Sequence, residues 1–271
     1  MSFFGVFEKL EPPDEHRPVG FFTDSSVCIG CKACEVACKQ WNQLPADGQN
    51  FTGMSYDNTV ALGATTWRHV QFIEQQDEHG KMRWLFNSDV CKHCVDAPCQ
   101  NACPTGSLIR TEFDTVYVQQ DICNGCGYCV VACPFGVIET AAAGPQPDGT
   151  AHKCTLCYDR LKDDMEPACA KACPTDSILF GDVEVLREYA QHRVETLQAR
   201  GESKAQLYGM PEGNALGGLN SFFLLLDEPE RYNLPRYPRS PKRAMKRGYM
   251  WGLGAALAAV AFMALAYDSS G

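Results

Sequence analysis

Sixteen cysteines in a chain of 271 residues fall into four groups of four, with none left over. Group one is Cys28, Cys31, Cys34 and Cys38, and group two is Cys91, Cys94, Cys99 and Cys103. Group three is Cys123, Cys126, Cys129 and Cys133, and group four is Cys154, Cys157, Cys169 and Cys173. Each opens with C-x-x-C and closes with C-x-x-x-C, so the groups form an internal repeat. The first cysteines of groups two, three and four stand 32 and 31 residues apart, and those of groups one and two 63 apart, so 39–90 holds an insertion. A disulfide framework belongs to short secreted chains with irregular spacing. This chain is long, and its start is not read as a signal peptide. Phe3, Phe4, Val6 and Phe7 run into Glu8, no basic leader precedes them, and there is no twin arginine. The cysteines are expected to be metal ligands.

Three cysteines in C-x-x-C-x-x-C wrap a short loop that aims three thiolates at one small object, and the loop cannot easily supply a fourth. In two-cluster ferredoxins a remote cysteine, usually followed by proline, ligates the other cluster of the pair. Group three, C-N-G-C-G-Y-C-V-V-A-C-P, has that spacing throughout. Groups two and four lengthen the gap before the third cysteine but still end in Cys-Pro, at Pro104 and Pro174, whereas Lys39 follows Cys38 in group one. The competing reading is four all-thiolate zinc sites. Zinc ribbons draw two separate C-x-x-C pairs, and three thiolates within seven residues suit a cubane better, so the expected cofactors are four 4Fe–4S clusters.

The crossover rule then pairs group two with three and group one with four. Cluster A is expected on Cys28, Cys31, Cys34 and Cys173, and cluster B on Cys154, Cys157, Cys169 and Cys38. Cluster C falls to Cys91, Cys94, Cys99 and Cys133, and cluster D to Cys123, Cys126, Cys129 and Cys103. Such a row is a wire and not a reaction centre. His93, inside C-K-H-C, is not expected to bind iron, because every group already holds four cysteines. Lys32 and Lys92 lie between ligands, where they either raise a cluster's potential or stand as solvated surface lysines. No dinucleotide turn, P-loop or nucleophile elbow occurs, so no catalytic residue is assigned.

The rest of the chain supplies a scaffold and a tail. With 45% apolar and 21% charged residues it is long enough for one sizeable domain, and a net charge of −9 argues against nucleic-acid binding. Short strands are expected at 116–118 and 136–138, and a hairpin at 67–74 and 81–86 around Asp77-Glu78-His79-Gly80. Leu186, Tyr189, Ala190, Val194 and Leu197 have helical spacing over 183–200, with Gly201 as the stop. From Arg236 to Arg247 six of twelve residues are basic, and from Gly248 to Tyr267 none of 20 is charged. A helix of that length rises about 30 Å, the thickness of a bilayer's hydrocarbon core. Tyr249, Trp251 and Tyr267 sit near its ends, as an aromatic belt would place them, and Gly248, Gly252 and Ala256 would let another membrane helix approach. The alternative is a buried helix of the soluble domain. The expected organisation is a four-cluster domain over 1–235, with the insertion 39–90 and a helical extension 182–235, then a basic linker 236–247 and a transmembrane helix 248–267.

The stretches G-F-F-T-D-S-S-V-C-I-G-C-K-A-C-E-V-A-C-K-Q-W-N (20–42) and G-M-S-Y-D-N-T-V-A-L-G-A-T-T-W-R-H-V (53–70) resemble the iron–sulfur β subunit of formate dehydrogenases. So do 123–138, 153–161 and E-P-A-C-A-K-A-C-P-T-D-S-I (166–178). The cysteine groups alone are shared with iron–sulfur subunits of other molybdopterin enzymes, such as dimethyl sulfoxide, nitrate and polysulfide reductases, so the same wire could serve one of these or a hydrogenase. The resemblance implies an α+β fold of two ferredoxin-like double-cluster modules related by pseudo-symmetry. It also implies a separate catalytic subunit with a molybdenum or tungsten bis-pterin that oxidises formate. Electrons would enter near groups one and four and leave near groups two and three, toward a membrane cytochrome b and quinone, with the C-terminal helix as anchor in the lipid bilayer. Family members of this anchored type work on the periplasmic face of the inner membrane. The six basic residues before the helix would by themselves put the domain in the cytoplasm.

Overall fold

Each cysteine group runs into a short helix that begins one residue before its third cysteine. These are α1 (Ala33–Trp41), α2 (Pro98–Asn101), α3 (Tyr128–Ala132) and, after α4 (Tyr158–Lys162), α5 (Ala168–Lys171). The fourth cysteine lies four residues beyond the third, about 6 Å further along the axis and on the same face. One helix therefore aims its two cysteines at two neighbouring points. Helix α1 packs against α5, and α2 against α3. Groups one and four thus form one half and groups two and three the other. The computed structural model describes residues 17–48, 51–53, 55–76, 80–141 and 148–268. The Phe3–Phe7 run and residues 77–79 of the expected turn lie outside them.

Around this frame, among the described residues, lie ten strands. They are β1 (Val19–Asp24), β2 (Arg68–Gln76), β3 (Met82–Val90), β4 (Leu108–Arg110), β5 (Val116–Val118), β6 (Glu139–Thr140), β7 (Ala151–His152), β8 (Ile178–Asp182), β9 (Gln206–Tyr208) and β10 (Ser221–Leu225). The main sheet has the order β8-β1-β10-β9, with β1 and β10 parallel and both outer pairs antiparallel. Every residue of β1 and β10 is buried, because α6 (Val183–Ala199) covers β1. Helix α6 is capped by Asp182, whose Oδ1 accepts from the N–H of Glu184 at 2.8 Å and of Val185 at 3.3 Å. It buries Leu186, Ala190, Val194 and Leu197, the stripe that the spacing predicts.

The insertion is the β2–β3 hairpin, in register from Arg68↔Val90 to Gln76↔Met82. Its Asp57 and His69 reach back to group one. Lys32 Nζ donates to Glu35 Oε1 and to Asp57 Oδ1, both at 3.1 Å, and His69 Nε2 lies 2.6 Å from Asp57 Oδ2. Two smaller hairpins, β4–β5 and β6–β7, serve the other half. The strand expected at 136–138 starts later, at Glu139, because Gly136 takes a left-handed turn (φ 62°) that carries the chain away from Cys133.

The tail also departs from the expected boundaries. Helix α7 runs from Pro241 to Asp268, so the second half of the basic segment is helical rather than linker. Proline at the first helical position fixes φ and gives up an N–H that would be orphaned anyway, which explains the early start. Among the described residues no helix is long and apolar enough to cross a membrane. The side chains of 243, 244, 246, 247, 264–266 and 268 lie outside the description. Helix α7 contacts α2.

Candidate metal centres

The backbone repeats itself at the cysteines. In all four groups the residue before the second cysteine is left-handed: Gly30 (φ 67°), His93 (φ 42°), Gly125 (φ 69°) and Leu156 (φ 56°). A side-chain-bearing residue pays about 1 kcal/mol or more for that conformation, so His93 and Leu156 are held there by what surrounds them. At Gly125 an added Cβ would stand 2.1 Å from the Gly149 carbonyl oxygen. The turn directs successive N–H groups inward, the concave arrangement that binds anions and iron–sulfur centres. Sulfur already accepts one of them, because Leu156 N–H donates to Cys154 Sγ at 3.3 Å, and from β7 Ala151 N–H donates to Cys123 Sγ at 3.4 Å.

Four cradles result. One cavity is lined by Cys28, Cys31, Cys34 and Cys173, and another by Cys91, Cys94, Cys99 and Cys133. Burial raises the Cys38 thiol well above its ordinary range, and Cys154, Cys169 and Cys157 add to the effect. Burial likewise pushes Cys129 up to about 11, with Cys123, Cys103 and Cys126 acting on it, although hydrogen bonding to Val130 opposes this. The structure thus brings together Cys38 with group four, and Cys103 with group three. Cys34 and Cys99 are each pushed up to about 12 by burial. Four thiols of this kind cannot all ionise side by side unless a cationic core neutralises them.

The cradles form a row. Cys34 and Cys38 share α1, and Cys169 stands on α5 with Cys173 just beyond its end, so A adjoins B. Cys91 acts on Cys154 across the junction of the two halves, so B adjoins C. Cys99 with Cys103, and Cys129 with Cys133, join C to D. Only Cys31 in A and Cys126 in D are exposed, whereas all four cysteines of B are buried. Conductive ends and an insulated middle are what a chain of one-electron carriers requires.

The lysines between ligands are not solvated surface residues. Lys92 is 1% exposed and pairs with Asp89 Oδ1, with a further bond to Val90 O at 2.8 Å. Its ammonium lies 5.2 Å from the ring centres of Phe135 and Phe223. Removing Asp89 would strand a buried charge, at a cost of about 3–5 kcal/mol. Lys32 is half-buried between Glu35 of α1 and Asp57 of the insertion. The sequence reading also missed what His93 does. Its Nδ1 accepts from Val116 N–H at 3.1 Å, which places the proton on Nε2. That Nε2–H is buried without a protein partner, and the residue lines the Cys91 cavity. Arg68 was invisible to motif reasoning; its Nε and Nη2 are buried and equally unpartnered.

These features fit clusters better than zinc. Inward N–H groups, orphaned donors and raised thiols all call for a larger anionic body with a cationic metal content. Comparison with known proteins agrees. Residues 82–183 and 27–107 each match a 4Fe-4S dicluster domain, and together they contain all sixteen cysteines, so the chain carries four 4Fe–4S clusters. The nitrate-inducible formate dehydrogenase iron-sulfur subunit of Escherichia coli is 40% identical over 238 residues, 85% of this chain and 78% of that one. The formate dehydrogenase iron-sulfur subunit of Haemophilus influenzae is 41% identical over 239 residues, 87% and 74% of the two chains. The B subunit of the anaerobic dimethyl sulfoxide reductase of Escherichia coli is 34% identical over 169 residues, 62% and 76%. With most of both chains aligned at this identity, the protein belongs to the iron–sulfur, electron-transfer subunits of the formate dehydrogenase family, and not to the catalytic ones.

Proposed function

We propose that this chain conducts electrons from a formate-oxidising catalytic subunit, holding a molybdenum or tungsten bis-pterin, to a membrane cytochrome b and quinone. The ligand sets are cradles A to D as expected from the crossover rule. When bound, each cluster takes up and releases one electron at a potential tuned by its surroundings. The chain's own part is to hold four such groups in line, keep water from the middle two and expose one ligand at each end. That row, with Cys31 and Cys126 at its ends, is the observation that carries the proposal. Cradle A faces the catalytic partner and cradle D the membrane partner. This polarity is supported by α7, which contacts α2, the helix that carries Cys99 and leads into Cys103. Formate is favoured over another donor or acceptor because the formate dehydrogenase relatives align over 85–87% of the chain and the dimethyl sulfoxide reductase relative over 62%.

Helix α7 anchors the wire in the inner membrane as a single pass. Its Tyr249, Met250, Trp251, Leu253, Leu257, Val260, Phe262 and Met263 are all exposed. That is more contiguous apolar surface than a water-soluble helix carries. The domain lies on the periplasmic face, exported after folding with its partner, because a folded cargo is not oriented by a charge bias that acts during threading. Protease added outside spheroplasts should digest the iron–sulfur domain, and alkaline extraction should leave it in the membrane. Digestion only after lysis would place it in the cytoplasm.

Formate added anaerobically to the solubilised complex should bleach the brown absorbance and raise reduced-cluster paramagnetic signals. Bleaching by dithionite but not by formate, in a complex whose catalytic subunit is present and active, would leave the clusters and remove formate as the donor.

A further inference from the structure

Arg68 opens β2, on the insertion, and is 1% exposed. Its guanidinium stacks on Phe21, 4.7 Å from the ring centre. Nη1 donates to Ser88 Oγ at 2.9 Å and to Ser88 O at 3.3 Å, and Ser88 Oγ lies 3.4 Å from Cys34 Sγ. The other two nitrogens, Nε and Nη2, have no partner. Among the described residues no carboxylate pairs with it, and the groups that favour its charge are Cys169, Cys34, Cys154 and Cys38. Two of these cysteines stand on α1, one on α5 and one at the start of group four, so they belong to cradles A and B together.

A desolvated guanidinium without an anion costs more than its remaining hydrogen bonds return. The orphaned N–H groups and the missing counter-charge thus point at the same neighbour. A cubane held by four thiolates is negatively charged, and reduction adds one more negative charge; net charge and hydrogen bonds to sulfur set its potential. We propose that Arg68 is the buried counter-charge shared by clusters A and B, donating Nε–H and Nη2–H to their sulfur and stabilising the reduced form of both. The electron itself comes from the donor subunit, and Arg68 keeps its proton throughout. The insertion is then more than a spacer: its register with β3 delivers one cation between the two clusters that electrons reach first. The inference rests on the ligand sets proposed above and is independent of formate as donor.

The test is a potentiometric titration of the whole complex, read by paramagnetic resonance, with Arg68→Met against the unaltered protein. Two of the four signals should lose at least tenfold in reduced-to-oxidised ratio at a given potential, a downward shift of about 59 mV or more for a one-electron couple. The other two should hold, and Arg68→Lys should recover part of the shift. Four unmoved signals with full iron would overturn the proposal. A shift confined to the signals that cysteine variants assign to C and D would overturn the ligand sets instead. Should Arg68→Met fail to assemble, the unaltered complex labelled with 15N-arginine decides. A 15N coupling to reduced clusters supports the contact, and its absence removes it.

Discussion

Replacing Cys154 and Cys157 by alanine in the assembled complex removes the cluster from cradle B, and formate-to-quinone electron flow falls to background. Iron should drop from about 16 to about 12 atoms per chain, at four per cubane. Formate-dependent reduction of a small dye that reaches the catalytic subunit directly should persist. The reasoning is positional. Cradle B is wholly buried, its neighbours are A across α1 and α5 and C across the Cys91–Cys154 junction, and only A and D expose a ligand. Electrons that enter at one end have no surface bypass around the second carrier. The dye assay guards against a trivial failure, since a complex that had lost this subunit or its catalytic partner would lose both activities or their co-purification. Quinone reduction that survives the loss of four irons would show that the row is not the path.

Stripping the iron should unfold most of the domain. Cys34, Cys91, Cys94, Cys99, Cys129, Cys154 and Cys169 are part of one hydrophobic core with Phe21, Leu108, Val116 and Phe222. Without metal the centres of both halves become cavities ringed by thiols and inward N–H groups. Structural metal sites supply about 10 kcal/mol or more of folding free energy, which is comparable to the whole stability of an ordinary domain. Far-ultraviolet circular dichroism of the apo chain should lose its cooperative thermal transition and regain it on anaerobic reconstitution. The pH dependence has a definite sign. In the unfolded apo chain the thiols are free of the burial that raises Cys34 and Cys99, so their ordinary value of 9.0 applies; they are protonated at neutral pH and binding must release those protons. Reconstitution should therefore tighten as pH rises toward that value, and weaken as it falls. An apo chain with an unchanged thermal transition would mean that the main sheet and α6 hold the fold alone.

Much of the site was legible in one dimension because an iron–sulfur loop is a local object. Its first three ligands lie within 7 to 16 residues of one another, and the fourth follows the third at a fixed offset of four. Amphipathic spacing exposed α6 for the same reason, and alternating β-rich runs exposed the β2–β3 hairpin. Where local rules competed, the reading slipped. Gly136-Val137-Ile138 has strand propensity, but the turn that leads away from Cys133 delays the strand to Glu139. The uncharged run marked a helix from Gly248, yet Pro241 starts it earlier.

What the sequence determined by itself was the chemistry: sixteen thiolates in four repeats whose spacing selects cubanes, since chain geometry over a few residues leaves a loop little freedom. The tertiary structure alone decided which charges and donors that chemistry would meet. Lys92 reads either as a charge that tunes a cluster or as a solvated surface lysine until the fold buries it against Asp89, Phe135 and Phe223. His93 has no role in the sequence beyond not being a ligand, and the fold makes its Nδ1 the acceptor of the Val116 N–H. Arg68 belongs to no motif, and comes beside cysteines 30 and 34 residues before it and 86 and 101 after it only because β2, α1 and group four converge. Desolvation makes these groups count, and it is a property of everything packed around a side chain, which neighbours in sequence do not specify.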